Sequence, residues 1–286
     1  MKIITSTLLA LSVAAASQMA SAATTGATLA TVNPEADRLA LQQYMQDRFP
    51  GVEINEYGNG IYAVDAASRE QWEQIEEFPP YEFDVEKGET LFNTPFANGK
   101  SYADCFENGG IGIRQNYPMW NAERETVVTL EMAIQECRMT NGEKPLKWKT
   151  GDIASVSAYM AYTSRGNVFD IKIPDEKAKA AYLDGKKFFY SKRGQLNLSC
   201  EDCHMTGTNR LIRADLPSPS LGHPTNFPTF RSKWEGIGTL HRRYEGCHSD
   251  SRSEPFKPQT EAFRNLEYFQ SYMSNGIEIN GPGARK

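Results

Sequence analysis

Apolar residues recur every three or four positions in four stretches of the chain, a spacing that predicts amphipathic helices. These stretches are Asn33–Arg48, Thr150–Ser164, Ala178–Tyr190 and Thr260–Ser274. The last one sets Phe263, Leu266, Phe269 and Tyr272 on one face, which would pack on a core. The first one begins with Asn33 as a cap and Pro34 at its first helical position, and both residue types are common there.

Two stretches before residue 85 do not follow this pattern. Residues 53–65, "EINEYGNGIYAVD", are predicted to be extended with a turn, and residues 78–84, "FPPYEFD", are predicted to form a linker. The chain is therefore expected to be mostly α-helical, with an N-terminal extension before its main domains.

The N-terminus has the composition of a secretory signal. Lys2 is followed by an apolar run over residues 8–16 and then by Ala20-Ser21-Ala22, a small-residue cleavage site. We therefore expect residues 1–22 to be removed and the mature protein to be periplasmic. No later run reaches the about 18 apolar residues that span a bilayer, so no membrane segment is expected.

The charge balance argues against some partners. The chain has 31 Lys and Arg against 36 Asp and Glu, and the predicted signal contains one lysine and no acidic residue, which leaves 30 against 36 and a mature net charge of −6. An acidic surface gives no support for binding to nucleic acid or to an anionic membrane. A cationic site would have to be a local exception.

The cysteines carry the candidate chemistry. They are Cys105, Cys137, Cys200, Cys203 and Cys247. In an oxidising compartment cysteines are expected to be paired, modified or bound to a cofactor, and an odd number leaves at least one without a partner in the chain.

The motif C-x-x-C-H occurs once, at Cys200–His204. A zinc site needs a second ligand pair, which is missing, and a redox dithiol needs a preceding strand, whereas a helix is predicted there. Covalent haem c fits the motif best, with Cys200 and Cys203 as thioether anchors and His204 as the proximal iron ligand.

The chain also repeats itself at a fixed offset, which places Asn116 on Asn226 and Cys137 on Cys247. Twelve of the 51 positions from 116 to 166 are identical to positions 226–276 without a gap, which indicates an internal duplication. With a small upstream gap, Tyr102–Phe106 aligns with Cys200–His204, so the first copy has lost its haem motif.

The repeat divides the mature chain into three parts. The predicted domains are an extension (23–80), a haem-less cytochrome c-like domain (81–173) and a haem-bearing one (174–286). Without a haem beside them, Cys105 and Cys137 are expected to form a disulfide. The bridge would stabilise the fold by on the order of 3–4 kcal/mol through its loop length. Two separate buried thiols are the alternative.

The distal iron ligand is less clearly marked. Met273, His223, His241 and His248 are candidates, whereas Met205 is too close to the proximal ligand. Cys247 is favoured because it is the unpaired cysteine and because its repeat mate, Cys137, would lie near the equivalent of the haem position. A thiolate ligand would lower the reduction potential and suit chemistry at sulfur.

Only the haem-bearing copy is cationic around its cysteine. Arg242 and Arg243 replace Met132 and Ala133 of the first copy. Arg243 lies four residues before Cys247, so on a helix both share a face and could hold an oxyanion. A solvated basic surface, or an ion pair with Glu245 or Glu254, is the alternative.

These features together resemble the SoxA family, the cytochrome subunits of the periplasmic SoxAX complex. The resemblance is carried by the signal peptide, the altered first repeat, C-E-D-C-H, and "RRYEGC" at residues 242–247, and it covers essentially the whole mature chain. The chain is similar to the single-haem members because Tyr102 and Phe106 interrupt the first motif.

The resemblance implies L-cysteine S-thiosulfotransferase activity. Thiosulfate would be joined oxidatively to a cysteine of the SoxYZ carrier, with electrons leaving through c-type cytochrome and a SoxX subunit as the partner in a heterodimer. By the same resemblance, Cys247 is an iron ligand and the active cysteine, often a persulfide, and Arg243 binds thiosulfate, helped by Arg242, Lys233 or His241. A simple electron-transfer cytochrome and a haem-free dithiol oxidoreductase are the rival functions.

Overall fold

The computed structural model describes residues 32–286, and the predicted signal peptide, residues 1–22, lies outside them. Within this range the chain is mostly helical, as predicted. Its α-helices are α1 (Pro34–Arg48), α2 (Ala66–Glu76), α3 (Glu82–Asn93), α4 (Leu130–Thr140), α5 (Asp152–Tyr162), α6 (Glu176–Tyr190), α7 (Leu240–Asp250) and α8 (Glu261–Met273). Its short strands are β1 (Met119–Asn121), β2 (Thr126–Val128), β3 (Thr229–Arg231), β4 (Gly236–Gly238) and β5 (Gly283–Arg285).

Helix α1 begins as its sequence predicts. The Asn33 side chain accepts a hydrogen bond from the backbone N–H of Ala36 at 3.1 Å, and Pro34 occupies the first turn. Leu41 and Met45 are buried and join the core around α6 and α8. The N-terminal extension therefore packs on the second half of the chain. No helix between residues 32 and 286 is long and apolar enough to cross a membrane.

The prediction of an extended segment over residues 53–65 was wrong. Ile54–Ala63 forms tight 3₁₀ turns that break at Gly60, whose φ is 63°. Tyr57 and Tyr62 both turn inward, and the Tyr57 hydroxyl donates to the carbonyl of Met45 at 2.9 Å. Burial of these two rings against the rest of the protein takes the place of a strand partner.

The prediction of a linker over residues 78–84 was correct for residues 78–81, which connect α2 to α3, and wrong for residues 82–84, which are helical. Helix α3 starts at Glu82, and Tyr81 just before it is 3% exposed. The Tyr81 hydroxyl donates to Glu76 and accepts a hydrogen bond from Arg165 at 3.0 Å. Hydrogen bonds to Glu76 and Arg165 thus hold this stretch against the rest of the protein.

The two halves of the chain repeat the same arrangement of elements. In the first half, β1 and β2 form an antiparallel hairpin that leads into α4; in the second half, β3 and β4 form one that leads into α7. Each element of the first unit begins at a residue that the sequence repeat aligns with the first residue of its counterpart. The two helices, for example, begin at the aligned residues Leu130 and Leu240. The hairpin turns contain Glu125 and Glu235, both with a φ of 51°. Strand β5 adds to β3 in parallel.

Each half also contains a close crossing of two helices at a glycine. A Cβ atom at Gly88 of α3 would lie 2.0 Å from the carbonyl oxygen of Ser155 on α5. A Cβ atom at Gly185 of α6 would lie 1.9 Å from the carbonyl oxygen of Asn265 on α8. Only glycine permits so close an approach, and Asn265 is the repeat mate of Ser155.

The core of the first half contains Tyr102 and Phe106, the two aromatic residues that the sequence repeat aligns with Cys200 and His204. Tyr102 is 1% exposed and stacks on Phe92, with 5.7 Å between ring centroids. Phe106 is partly buried and packs against the same cluster. These rings fill volume in this core, as the sequence led us to expect.

Candidate functional site

The segment that carries C-x-x-C-H is a helical turn with a capped start. The backbone N–H and the hydroxyl of Ser199 donate to Asp202 Oδ2 at 2.7 and 2.8 Å, and the N–H of Asp202 donates back to the Ser199 hydroxyl. Lys192 adds an ion pair with Asp202 at 3.1 Å. These contacts fix the direction in which Cys200 and the residues after it project.

His204 is held in the tautomer that can bind a metal. Its Nδ1 lies 2.8 Å from the carbonyl oxygen of Ser218, which can only accept a hydrogen bond, so Nδ1 carries the proton. Burial lowers the pKa of His204 to about 4, so the ring is neutral. Its Nε2 keeps a free lone pair, the arrangement in which an imidazole is oriented for iron by its other nitrogen.

Two cysteines belong to this turn, and a third comes near it from α7. Cys200, Cys203 and Cys247 take part in no disulfide among residues 32–286. Burial is the main cause that raises the pKa of Cys200 to about 12, and the charge of Cys247 adds to it. The pKa of Cys203 is raised by the same two causes, so Cys247 lies within electrostatic reach of both cysteines of the motif.

Arg243 and Cys247 lie on the same face of α7. The pKa of Arg243 is raised above its ordinary value, and the charge of Cys247 is the largest cause. Within the described part of the chain Arg243 has no ion pair with an acidic side chain, and Glu245 pairs instead with Lys149 at 2.7 Å. The expected alternative, an ion pair of Arg243 with Glu245 or Glu254, is therefore not found.

His223, one of the alternative iron ligands, stands on the proximal side. Its ring is 4.3 Å from that of His204, centroid to centroid. Both its nitrogens are engaged, Nε2 with the Ser218 hydroxyl at 3.1 Å and Nδ1 with the amide of Gln270 at 3.2 Å. His223 thus stabilises the residues around His204. It lies beside His204 and not opposite it, where a second iron ligand would be needed.

The other two histidines also point elsewhere. His241 was expected near the anion site, but it is 2% exposed, its Nε2 lies 3.1 Å from Glu267, and its Nδ1 accepts the N–H of Gln259. That expectation was wrong because the start of α7 faces the interior. His248 Nδ1 is 2.9 Å from the hydroxyl of Ser253, and its ring packs against those of Phe188, Phe256 and Phe263.

The two methionines are occupied as well. Met273 is 2% exposed within the main core. The sulfur of Met205 lies 3.6 Å from the hydroxyl of Tyr190. Among the sulfur and imidazole groups that the structure describes, Cys247 is the one that combines proximity to the motif with freedom from other partners.

The remaining cations expected at the site are placed differently. Arg242 lies over the ring of Trp234 at 4.3 Å and donates to the carbonyl of Ile237 at 3.4 Å. Lys233 is exposed. Arg231, at the end of β3, was missed: its pKa is affected by the charges of both Arg243 and Cys247. The repeat contains the signal, because the first copy has Asn121 at this position.

A second residue that sequence reasoning missed is Arg48, in the last turn of α1. Its guanidinium donates to three backbone carbonyls just after the motif, those of Met205 at 2.5 Å and of Thr206 and Thr208 at 3.0 Å. A positive charge is favourable at the carbonyl end of a helical turn. The N-terminal extension thereby holds the motif segment in place.

Cys105 and Cys137 are joined by a disulfide in the first half. Cys105 follows a start capped by Ser101 and Asp104, whose contact of 2.7 Å repeats that of Ser199 and Asp202.

The donor set fits haem c. Two thiols stand three positions apart, a neutral imidazole with a free Nε2 follows them, and a further cysteine approaches from α7. Among residues 32–286 no group of three or more His, Cys, Asp and Glu is arranged to hold a bare metal ion, so the site suits a covalently attached iron porphyrin better than zinc.

A sequence model described as "SoxA/TsdA, cytochrome c domain" matches residues 87–169. The chain is 57% identical over 252 residues to the L-cysteine S-thiosulfotransferase subunit SoxA of Chlorobaculum tepidum, with 88% of each chain covered. It is 50% identical over 268 residues to the subunit of the same name from Allochromatium vinosum, with 91% of this chain and 95% of that one covered.

A solved structure is similar as well. The crystal structure of SoxXA from P. pantotrophus matches with a TM-score of 0.69 and 27% sequence identity, over 78% of this chain and 84% of that chain. The likeness in fold therefore extends well beyond residues 87–169.

Proposed function

The chain belongs to the SoxA family of L-cysteine S-thiosulfotransferase subunits, and from that premise we propose how its own residues perform the reaction. Thiosulfate is the sulfur donor, and a cysteine of the SoxYZ carrier is the acceptor. Cys247 is the reactive cysteine and Arg243 binds the donor. The position of these two residues on one face of α7, next to Cys200 and Cys203, is the observation that carries the proposal.

One haem c, attached at Cys200 and Cys203, completes the site. His204 Nε2 and the Cys247 sulfur would hold its iron. The haem supplies a one-electron acceptor whose potential is lowered by the thiolate ligand. The free Nε2 and the hydrogen bond from Nδ1 to Ser218 support this arrangement.

The first half is a cytochrome c-like domain without a haem. A cytochrome c domain model matches residues 87–169, a stretch that lacks C-x-x-C-H. Tyr102 and Phe106 occupy its core where the motif's first cysteine and histidine would stand.

Structural correspondences support the duplication behind this arrangement. The cap of Ser101 and Asp104 repeats at Ser199 and Asp202, and the unit of β1, β2 and α4 recurs as β3, β4 and α7 at one fixed offset. The haem-less domain comprises residues 81–173 and the haem-bearing one residues 174–286, after an extension that begins at residue 23.

The net reaction joins thiosulfate and a carrier thiol through a new sulfur–sulfur bond and releases one proton and two electrons. Arg243 binds a sulfonate oxygen of thiosulfate through charge-assisted hydrogen bonds and orients its terminal sulfur toward Cys247. Formation of the sulfur–sulfur bond between thiosulfate and the Cys247 thiolate releases the two electrons. The carrier thiolate then attacks the sulfur bound to Cys247, which breaks that bond, restores the Cys247 thiolate and completes the transfer.

The two electrons require a second redox centre. A SoxX-like cytochrome subunit provides it, and the similarity to a solved SoxXA complex supports such a partner. The reaction takes place in the periplasm, where the carrier is met.

The test replaces Cys247 by Ser and by Ala in the assembled complex. Thiosulfate-dependent turnover should be lost and the visible haem spectrum should change. His248→Gln is the matched control, since it removes the neighbouring side chain, a rival ligand, and should preserve both readouts. Unchanged turnover in the Cys247 variants would refute the proposal in favour of a simple electron-transfer cytochrome. The intact mass of the purified chain, compared with the mass of one haem, checks the haem count.

A further inference from the structure

Arg231 ends strand β3 beside the candidate site. Its backbone lies opposite Gly236 of β4 and next to Arg285 of β5. The guanidinium Nε is buried without a hydrogen-bond partner, and no carboxylate lies within 4 Å of the group among the residues the structure describes. A partly buried positive charge without a partner is unfavourable, and a bound anion would relieve that cost.

The charges around Arg231 tie it to the reactive cysteine. Burial lowers the pKa of Arg231 to about 10, and the charge of Arg243 lowers it further, whereas Cys247 acts in the opposite direction. Asp215, on an exposed loop, adds a weaker influence of the same sign as Cys247. Arg231 therefore lies within electrostatic reach of both Arg243 and Cys247, and Arg285 adds a further positive charge.

Comparison of the two halves shows that the hairpin itself does not need an arginine. Asn121 occupies the same position in the first copy, at the end of β1, and its side chain accepts the N–H of Arg124 at 2.8 Å within the turn. The arginine appears in the copy that carries the haem motif, as Arg243 does.

Packing on the neighbouring tryptophan does not account for Arg231 either. Its guanidinium is 5.4 Å from the ring of Trp234, whereas Arg242 covers the same ring more closely, at 4.3 Å. Arg242 also donates to a carbonyl, while the Nε of Arg231 keeps its donor free.

We propose that Arg231 is a second anion-binding residue of the Cys247 site, so that an oxyanion lies between its guanidinium and that of Arg243. This inference rests on the proposed function and extends it. Two anions share the required chemistry, the sulfonate group of thiosulfate and a carboxylate of the haem. Two guanidinium groups would match the two negative charges of thiosulfate and hold its terminal sulfur toward Cys247.

The experiment compares Arg231→Gln, Arg231→Lys and the control Arg242→Gln in the assembled holoprotein. The KM for thiosulfate and kcat are measured at saturating carrier, together with the visible spectrum and the haem reduction potential. For Arg231→Gln we expect the KM to rise about tenfold or more, since a charge-assisted contact is lost. Arg231→Lys should recover part of the loss, and Arg242→Gln should keep the KM of the wild type.

The readouts distinguish the two anions. A raised KM with an unchanged potential assigns Arg231 to thiosulfate, and a shifted potential with an unchanged KM assigns it to a haem carboxylate. An unchanged KM and an unchanged potential overturn the inference.

Arg243→Ala separates this inference from the proposed function. If that variant raises the KM while Arg231→Gln changes neither readout, only the role of Arg231 is wrong. If neither variant raises the KM, the anion site of the proposed function is wrong as well.

Discussion

The Nε2 atom of His241 lies 3.1 Å from a carboxylate oxygen of Glu267, and the repeat mates of these two residues form a corresponding contact in the first half. There the hydroxyl of Ser157 donates to Glu131 at 2.8 Å. In the first half the acidic residue is on α4 and its partner is on α5. In the second half the acidic residue is on α8 and its partner is on α7. All four side chains are buried, and Glu131 and Glu267 influence each other electrostatically. The two halves therefore meet at a buried polar cluster.

This cluster predicts a pH-dependent effect of Glu131→Gln. Burial and the charge of Glu267 raise the pKa of Glu131, while Arg114 and Ser157 act in the opposite direction. Because the folded pKa is above the unfolded value, the stabilising contribution of the protonated carboxyl is lost as the pH rises. We expect the Tm of Glu131→Gln, relative to wild type, to increase between pH 5 and pH 8.

Glu136→Gln is the matched control on the same helix, because Glu136 is half-exposed and pairs with Arg124 at 2.6 Å. Its Tm difference from wild type should not grow with pH. A Tm difference for Glu131→Gln that is constant or falls with pH would contradict the effect assigned to its burial.

The disulfide predicts a loss of stability when it is removed. Cys105 and Cys137 are 32 positions apart, so the double replacement by Ser frees a long loop in the unfolded chain. We expect about 3–4 kcal/mol of destabilisation in denaturant unfolding. Reduction of the wild-type protein should produce a similar loss and leave the double variant unaffected. Equal unfolding midpoints for wild type and variant under oxidising conditions would contradict the bridge.

The contacts of Arg48 predict that the N-terminal extension stabilises the segment that contains the C-x-x-C-H motif. Arg48→Gln removes the charge from three carbonyl contacts, which should lower the free energy of unfolding by about 1.5–3 kcal/mol. Backbone amides of residues 202–208 should exchange hydrogen faster. Arg48→Lys should show a smaller effect, because it keeps the charge while its single ammonium nitrogen cannot occupy the positions of both guanidinium nitrogens that make these contacts. Unaltered hydrogen exchange in residues 202–208 would show that Arg48 does not stabilise this segment.

The helix crossings predict matched effects in the two halves. Gly88→Ala and Gly185→Ala each bring a methyl group against a carbonyl oxygen and should each cost about 1–3 kcal/mol or more. Gly246→Ala on α7 is the control, since its nearest contact would be 3.8 Å away, and it should be neutral or stabilising. A large cost at one crossing and none at the other would count against the correspondence of the halves.

Much of the fold was predictable because its signals are local. The cap at Asn33, the proline after it and the apolar face of α8 act within a few residues, and their helices lie where they were predicted. Residues 53–65 were mistaken for strand because contacts with the C-terminus hold them in place: the N–H of Lys286 donates to the Tyr62 hydroxyl at 3.3 Å, and the guanidinium of Arg285 lies 5.0 Å from the Tyr62 ring. Sequence spacing does not show such contacts.

The candidate site was predictable where one element carries the chemistry. Arg243 and Cys247 share a face as their spacing on α7 requires. The direction of His241 was not predictable, because it depends on Glu267 and Gln259, which come from α8 and the turn before it. Arg231 comes from a strand, and only the comparison with Asn121 would have identified it.

The proposal that His204 and the sulfur of Cys247 both bind the haem iron is tested most directly by electron paramagnetic resonance of the oxidised wild-type complex and of Cys247→Ala. The wild type should give the low-spin spectrum of a histidine–thiolate haem, and the variant should lose it. The same ligand spectrum in both proteins would show that the sulfur of Cys247 is not at the iron and would contradict its role in the transfer.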